Sequence, residues 1–219
     1  MRFYLALTDE VKDKLTKRKE CVGVSFNAVT LMHFFMISEE QKLINAEESR
    51  RFIETHKKLE KVPIDASPLL IERNGSYPRY EMTLSMYLSY QLEQYVLNNS
   101  NHIWTGLELE DSCSTVSSTY NISESLKSYL KETVFRETNI SMTGLINMAV
   151  LLERANENTL LSPTTDSQSK SKQFIRIARP LKRYLGSRTN HNGRRFTEGE
   201  LLEIFLRNLV LYLDIPNRD

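Results

Sequence analysis

The sequence predicts a mainly α-helical protein in which short strands each lead into a pair of helices, and three observations carry that expectation. Glycine and proline are scarce, at 7 and 6 in 219 residues, which disfavours a turn-rich β protein. Brief apolar alternations of period two pass directly into stretches of helical period. The same succession then recurs along the chain, and an internal repeat constrains the architecture more than any single element does.

The first unit spans residues 2–37. Phe3, Leu5 and Leu7 alternate with Arg2, Tyr4 and Ala6, which reads as a strand with one buried face. Thr8 is positioned as a helix N-cap, with Asp9 and Glu10 suited to the positive helix start. Val11, Leu15 and the stem of Arg18 supply the inner face, and Gly23 reads as a left-handed C-cap. Ser25 opens a second helix carrying Phe26, Val29, Leu31, Met32 and Phe35.

A shift of 170 residues brings Ile175 and Ile177 onto Leu5 and Leu7, and Leu181 and Leu185 onto Val11 and Leu15. It also brings Gly193 onto Gly23, Phe196 onto Phe26 and Leu201 onto Leu31. A shift of about 115 gives another copy, with Tyr120 and Ile122 inside, Ser123 as cap, and Leu126 and Leu130 on the helix face. This copy holds one extra residue before Ser141, and Asn139 stands where the turn glycine would be, a residue that tolerates left-handed backbone. A weaker copy at a shift of 77 has Met82 and Leu84 alternating, Ser85 as cap, and a short second helix around Ile103, Trp104 and Leu107.

The expected division is a unit at 1–37, a connector helix and loop at 38–77, a degenerate unit at 78–116, a unit at 117–154, a linker at 155–171 and a basic unit at 172–219. Ser38 with Gln41 forms a capping box for a connector helix over 38–61, which Pro63 would stop. The stretch 155–171 is polar and rich in Ser and Thr, as flexible linkers are. Connections tend to be local, so the first unit is expected to pair with the second and the third with the fourth.

One strand with two helices cannot close a core alone, but two units pairing their strands antiparallel can. The stretch from Phe3 through Gly23, Val24, Ser25, Phe26, Asn27 and Ala28 resembles the Arc/MetJ ribbon-helix-helix family of DNA-binding proteins. The resemblance covers most of 2–37, 119–154 and 172–213, and 79–111 weakly. It implies tandem ribbon-helix-helix units, mainly α, with two-stranded ribbons entering the DNA major groove. That family forms homodimers from one unit per chain, so several units in one chain imply pseudo-dimers of non-identical halves.

Alternation assigns the outward strand residues as Arg2, Tyr4 and Ala6, then Thr119 and Asn121, then Lys172, Phe174 and Arg176. In the weak copy they are Arg79, Glu81 and Thr83. Arg and Lys suit guanine edges, Asn adenine, and Thr either edge or a thymine methyl. Base contact is therefore expected from Arg2, Tyr4, Thr119, Asn121, Lys172, Phe174 and Arg176. The family clamps the DNA backbone at the start of the second helix, where free N–H groups bind anions. The resemblance carries this to Ser25, Asn27, Ser141, Thr143, Arg194, Arg195 and Thr197.

The formal charge of +1 hides a local asymmetry. Residues 172–213 hold nine Lys/Arg against three Glu, whereas 79–111 hold one against five acids. Phosphate neutralisation dominates non-specific affinity, so the last unit is the expected DNA binder and the second is not. No Walker loop, nucleophile elbow or zincin motif occurs, and no catalytic residue, cofactor or metal site is expected. His33 reads as a packed helix histidine, and Glu47 with Glu48 as surface charge. Cys21 and Cys113 have no paired spacing, which suggests a reduced, cytoplasmic protein, and no apolar run is long enough for a membrane span. The expected partner is double-stranded DNA, with self-association left open, in a transcriptional regulator or a plasmid or phage accessory factor. The alternative is a helical protein-interaction module, antitoxin-like or an assembly factor, that does not bind DNA.

Overall fold

The computed structural model describes residues 1–98, 103, 104, 107, 114–156, 169–191 and 194–215. The described residues are mainly helical, with three two-stranded antiparallel sheets among them. The chain begins with β1 (Arg2–Ala6), α1 (Asp9–Val22) and α2 (Phe26–Met36). After a short 3-10 turn (Glu40–Lys42) come α3 (Ala46–His56), β2 (Lys61–Asp65), α4 (Pro68–Gly75) and α5 (Leu84–Leu97). The second half opens with β3 (Thr115–Ser123) and α6 (Glu124–Tyr129), which runs through a π turn (Leu130–Val134) into α7 (Phe135–Thr138) and then α8 (Met142–Ala155). It ends with β4 (Lys170–Ala178), α9 (Arg179–Ser187), the hairpin of β5 (Asn190–His191) and β6 (Arg194–Arg195), and α10 (Glu198–Leu213).

The order strand, helix, helix therefore occurs four times among the described residues. β1 pairs with β2, centred on Tyr4 opposite Pro63, and β3 pairs with β4, centred on Thr119 opposite Phe174. In all four strands the central residue stands five positions before the first residue of the following helix: Tyr4 and Asp9, Pro63 and Pro68, Thr119 and Glu124, Phe174 and Arg179. The shifts of 115 and 170 hold through the strands. The shift of 77 does not, because the second strand lies 59 residues after the first, at Lys61–Asp65 inside the expected connector. Met82 and Leu84 form no strand. Thr83 caps the single helix α5, its hydroxyl accepting from Met86 N at 3.2 Å, and Glu81 pairs with Arg50 at 3.6 Å.

Pro63 enters this ribbon without costing a ladder bond. The Tyr4 carbonyl accepts from Ser85 Oγ, and Ala6 N donates to Ser89 Oγ at 2.9 Å, so the backbone N–H and C=O groups of even-numbered β1 residues point away from β2. Tyr4 and Pro63 thus form a non-hydrogen-bonded pair, and the N–H that proline lacks would have faced the free edge. The same contacts bury Ala6, which is 1% exposed rather than outward.

The expected 38–61 helix is broken. Ser38 N donates to Gln41 Oε1 at 3.0 Å, but only the 3-10 turn Glu40–Lys42 follows. Helix α3 starts afresh from a capping box in which Glu48 N donates to Asn45 Oδ1 at 2.9 Å and Asn45 N to Glu48 Oε2 at 3.1 Å. The extra residue before Ser141 is absorbed by the π turn, which is how a helix takes up a single insertion without losing its flanking register. Asn139 and Gly23 both cap in the left-handed region, at φ 57° and 65°.

One apolar core runs through both halves, from Leu5, Leu15 and Met32 to Ile122, Leu145, Ile177 and Phe205. Cys21 is buried and disulfide-bonded, so the expectation of a reduced cysteine fails at this residue. Cys113, like the expected turn Gly193, lies outside the described residues. Among the described residues no helix is long and apolar enough to cross a membrane.

Candidate nucleic-acid interface

The two ribbons are seated by the same device. Each free strand edge is held by the second helix of the opposite repeat. α5 holds β1 through Ser85 and Ser89, and α2 holds β2 through Asn27, whose Oδ1 accepts from Asp65 N at 2.7 Å. In the second ribbon, Asn147 of α8 clamps β4: its Nδ2 donates to Arg176 O at 3.0 Å and its Oδ1 accepts from Ala178 N at 3.0 Å. On the other edge, Ser123 N donates to the buried Glu203 of α10. Gly199 lets the start of α10 approach β3, for a Cβ there would lie 3.1 Å from Asn121 O.

Their outer faces differ. On the first ribbon Arg2 lies opposite Asp65, with Nε donating to Oδ1 at 2.9 Å and Nη2 to Oδ2 at 3.5 Å. Hydrogen bonding to Asp65 raises the Arg2 pKa, and the bond from Arg2 lowers that of Asp65. Tyr4 is exposed beside Pro63. The expected base-contact residue Arg2 is thus present on the surface but already engaged with a carboxylate.

On the second ribbon the exposed side chains are Ser117, Thr119 and Asn121 from β3, and Lys170, Lys172, Phe174 and Arg176 from β4. Register sets Asn121 opposite Lys172, Thr119 opposite Phe174 and Ser117 opposite Arg176. Among the described residues no carboxylate is exposed beside them, although Lys170 Nζ lies 3.6 Å from the buried Glu203 carboxylate and is engaged there. Phe174 is 74% exposed, a large apolar ring left in water between two cations. Lys127 adds a third amine at the β4 edge, donating to Ser171 Oγ and Lys172 O at 3.2 Å each. Five of the seven expected base-contact residues therefore share one face. Ser117 also lies on this face, which the alternation beginning at Thr119 does not reveal, because β3 extends four residues further back.

Two helix starts flank this face. Ser141 caps α8 by accepting from Gly144 N at 3.3 Å, Thr143 follows in the first turn, and no acidic residue shares that turn. Thr197 caps α10 in a capping box with Glu200, whose pKa is lowered by the Thr197 backbone N–H. This second helix begins two residues later than a gap-free repeat places it, so Phe196 precedes it. Glu198 in the same first turn is bonded to Lys182. Arg194 and Arg195 are exposed on the small hairpin before α10, with the Arg194 guanidinium 4.9 Å from the Phe196 ring centroid. Near the first ribbon, exposed Ser25 caps α2 by accepting from Ala28 N at 3.1 Å, and Asn27 is engaged with β2.

Among the described residues no group of three or more His, Cys, Asp or Glu side chains converges as a metal-binding set. Compared with protein-family models, with curated proteins and with solved structures, the chain matches none.

Proposed function

We propose that this protein binds double-stranded DNA through the β3–β4 ribbon, as a chain of four ribbon-helix-helix units folded into two pseudo-dimers, and acts as a transcriptional regulator or a plasmid or phage accessory factor. One observation carries the reading: Thr119, Asn121, Lys172, Phe174 and Arg176 lie on one ribbon face where, among the described residues, no carboxylate is exposed. A two-stranded ribbon fits the major groove, and this face offers a guanidinium, an ammonium, an amide and hydroxyls, the groups that read base edges. The free N–H groups at the start of α8 and the guanidinium groups of Arg194 and Arg195 supply phosphate contacts on either side. The first ribbon has a packing role, since its guanidinium is satisfied by Asp65.

A gel-shift titration on mixed-sequence duplex DNA over a range of salt tests this. The wild-type chain binds at low salt with a steep salt dependence. Arg176→Ala and Lys172→Ala each weaken binding about ten-fold at a recognised site. Arg2→Ala, which removes a guanidinium already paired, weakens it far less. Absence of binding to any duplex at low salt rejects the proposal.

A further inference from the structure

Resting on that reading, we infer that the β3–β4 ribbon recognises a non-palindromic duplex, with adenine preferred at one position and guanine at the position related to it by the duplex dyad. An antiparallel ribbon has a two-fold axis through its central pair, here Thr119 and Phe174. When the two strands are identical, that axis coincides with the dyad of the DNA and the bound site is an inverted repeat.

In this chain the axis relates unlike residues at every outward position. It carries Thr119 onto Phe174, Ser117 onto Lys172 and Asn121 onto Arg176. Under this axis a hydroxyl corresponds to a phenyl ring, a hydroxyl to an ammonium, and an amide to a guanidinium. Asn pairs bidentately with the adenine edge and Arg with the guanine edge, so the Asn121 and Arg176 positions cannot demand complementary copies of one half-site. All three β4 positions differ in class from their β3 counterparts, and no exchange of strands in the groove makes them equivalent.

The flanking helices add a polarity. The start of α8 beside β4 carries no acid in its first turn, whereas the start of α10 beside β3 carries Glu198 and Glu200. Carboxylates there compete with a phosphate for the same N–H groups. The phosphate contact on the α8 side is therefore the stronger, and the ribbon sits on the duplex in one orientation. A single chain, with both strands in covalent sequence, suffices for such a site.

The experiment is selection of the intact protein and of Asn121→Arg from a random-sequence duplex pool at low salt. Asn121 is exposed, so the substitution leaves the core untouched. The wild type is expected to enrich a sequence without inverted-repeat symmetry, with about ten-fold or greater discrimination for adenine at the Asn121 position and for guanine at its dyad mate. Asn121→Arg is expected to exchange that adenine for guanine and move the enriched sequence toward an inverted repeat. An inverted repeat from the wild type, or enrichment that Asn121→Arg leaves unchanged, overturns the inference while leaving DNA binding in place. No enrichment of any duplex removes the DNA reading itself, and this inference with it.

Discussion

His33 is fully buried, and its partners fix its protonation. Arg18, which can only donate, bonds through Nη1 to His33 Nε2 at 2.9 Å, so Nε2 is the acceptor. Nδ1 must then carry the proton, and it donates to Val29 O at 2.6 Å. The ring stacks on Trp104 at 4.5 Å and meets Tyr95 edge-on at 5.7 Å. Burial, and then the Arg18 charge, push its pKa down to about 3. The unfolded chain takes up a proton near pH 6.5 and the folded one does not. Stability is therefore full above that pH and falls by about 1.4 kcal/mol per pH unit below it, until about pH 3. Urea unfolding at pH 7, 5.5 and 4.5 checks this on wild type and His33→Gln. The wild type should lose about one proton's worth of slope more than the variant, a comparison that cancels the carboxylates. Equal slopes would mean that His33 titrates normally. A packed histidine is legible because Leu31, Met32 and Phe34 surround it, and so is the inward stem of Arg18; the meeting of the Arg18 guanidinium with the ring is not, because it depends on a helix packed across the turn at Gly23.

At the scale of elements, legibility followed local signals. β1, β3 and β4 were readable because a clean alternation in each runs straight into a helix start. β2 was not, because Val62 and Ile64 are only two apolar positions around a proline that also reads as a helix stop. Only the non-hydrogen-bonded register with Tyr4 makes Pro63 acceptable, and that register is a tertiary fact. The start of α10 was misplaced by two residues because the β5–β6 hairpin lengthens the turn before Thr197. Asn147 was invisible for a related reason. In sequence it is one polar residue in an apolar helix, yet it satisfies both a carbonyl and an N–H of β4. Asn147→Ala leaves both buried groups without a partner, and a loss of about 2–4 kcal/mol is expected. Equilibrium urea denaturation measures it. A loss below about 0.5 kcal/mol would show that the β4 edge is held by other contacts. Because β4 carries Lys172 and Arg176, the same variant should also weaken DNA binding in excess of its unfolded fraction.

For the whole molecule, the question is whether two pseudo-dimers make two folding units or one. The repeat predicts two, since each pair of units closes its own ribbon. The contacts between halves argue for one. Gly23, at the end of α1, lies so close to Thr115 that a Cβ would stand 2.6 Å from the threonine methyl. Asn139 Nδ2 donates to Asp65 O at 3.0 Å, tying the turn before α8 to the end of β2. Arg73 of α4 donates to the carbonyl of Leu213 at the far end of α10. Val24 of the first half lies 3.9 Å from the Cβ that Gly144 lacks, and the buried apolar side chains of both halves join in one cluster. Removing either half would strip water-excluding cover from the other, so a single cooperative transition is expected. Trp104, the only tryptophan, packs against His33 in the first half and reports on it alone, whereas far-UV circular dichroism reports on every helix. The two signals should share one urea midpoint. A dichroism curve with a second step that Trp104 fluorescence lacks would show that the second ribbon, the proposed DNA-reading half, is stable apart from the first.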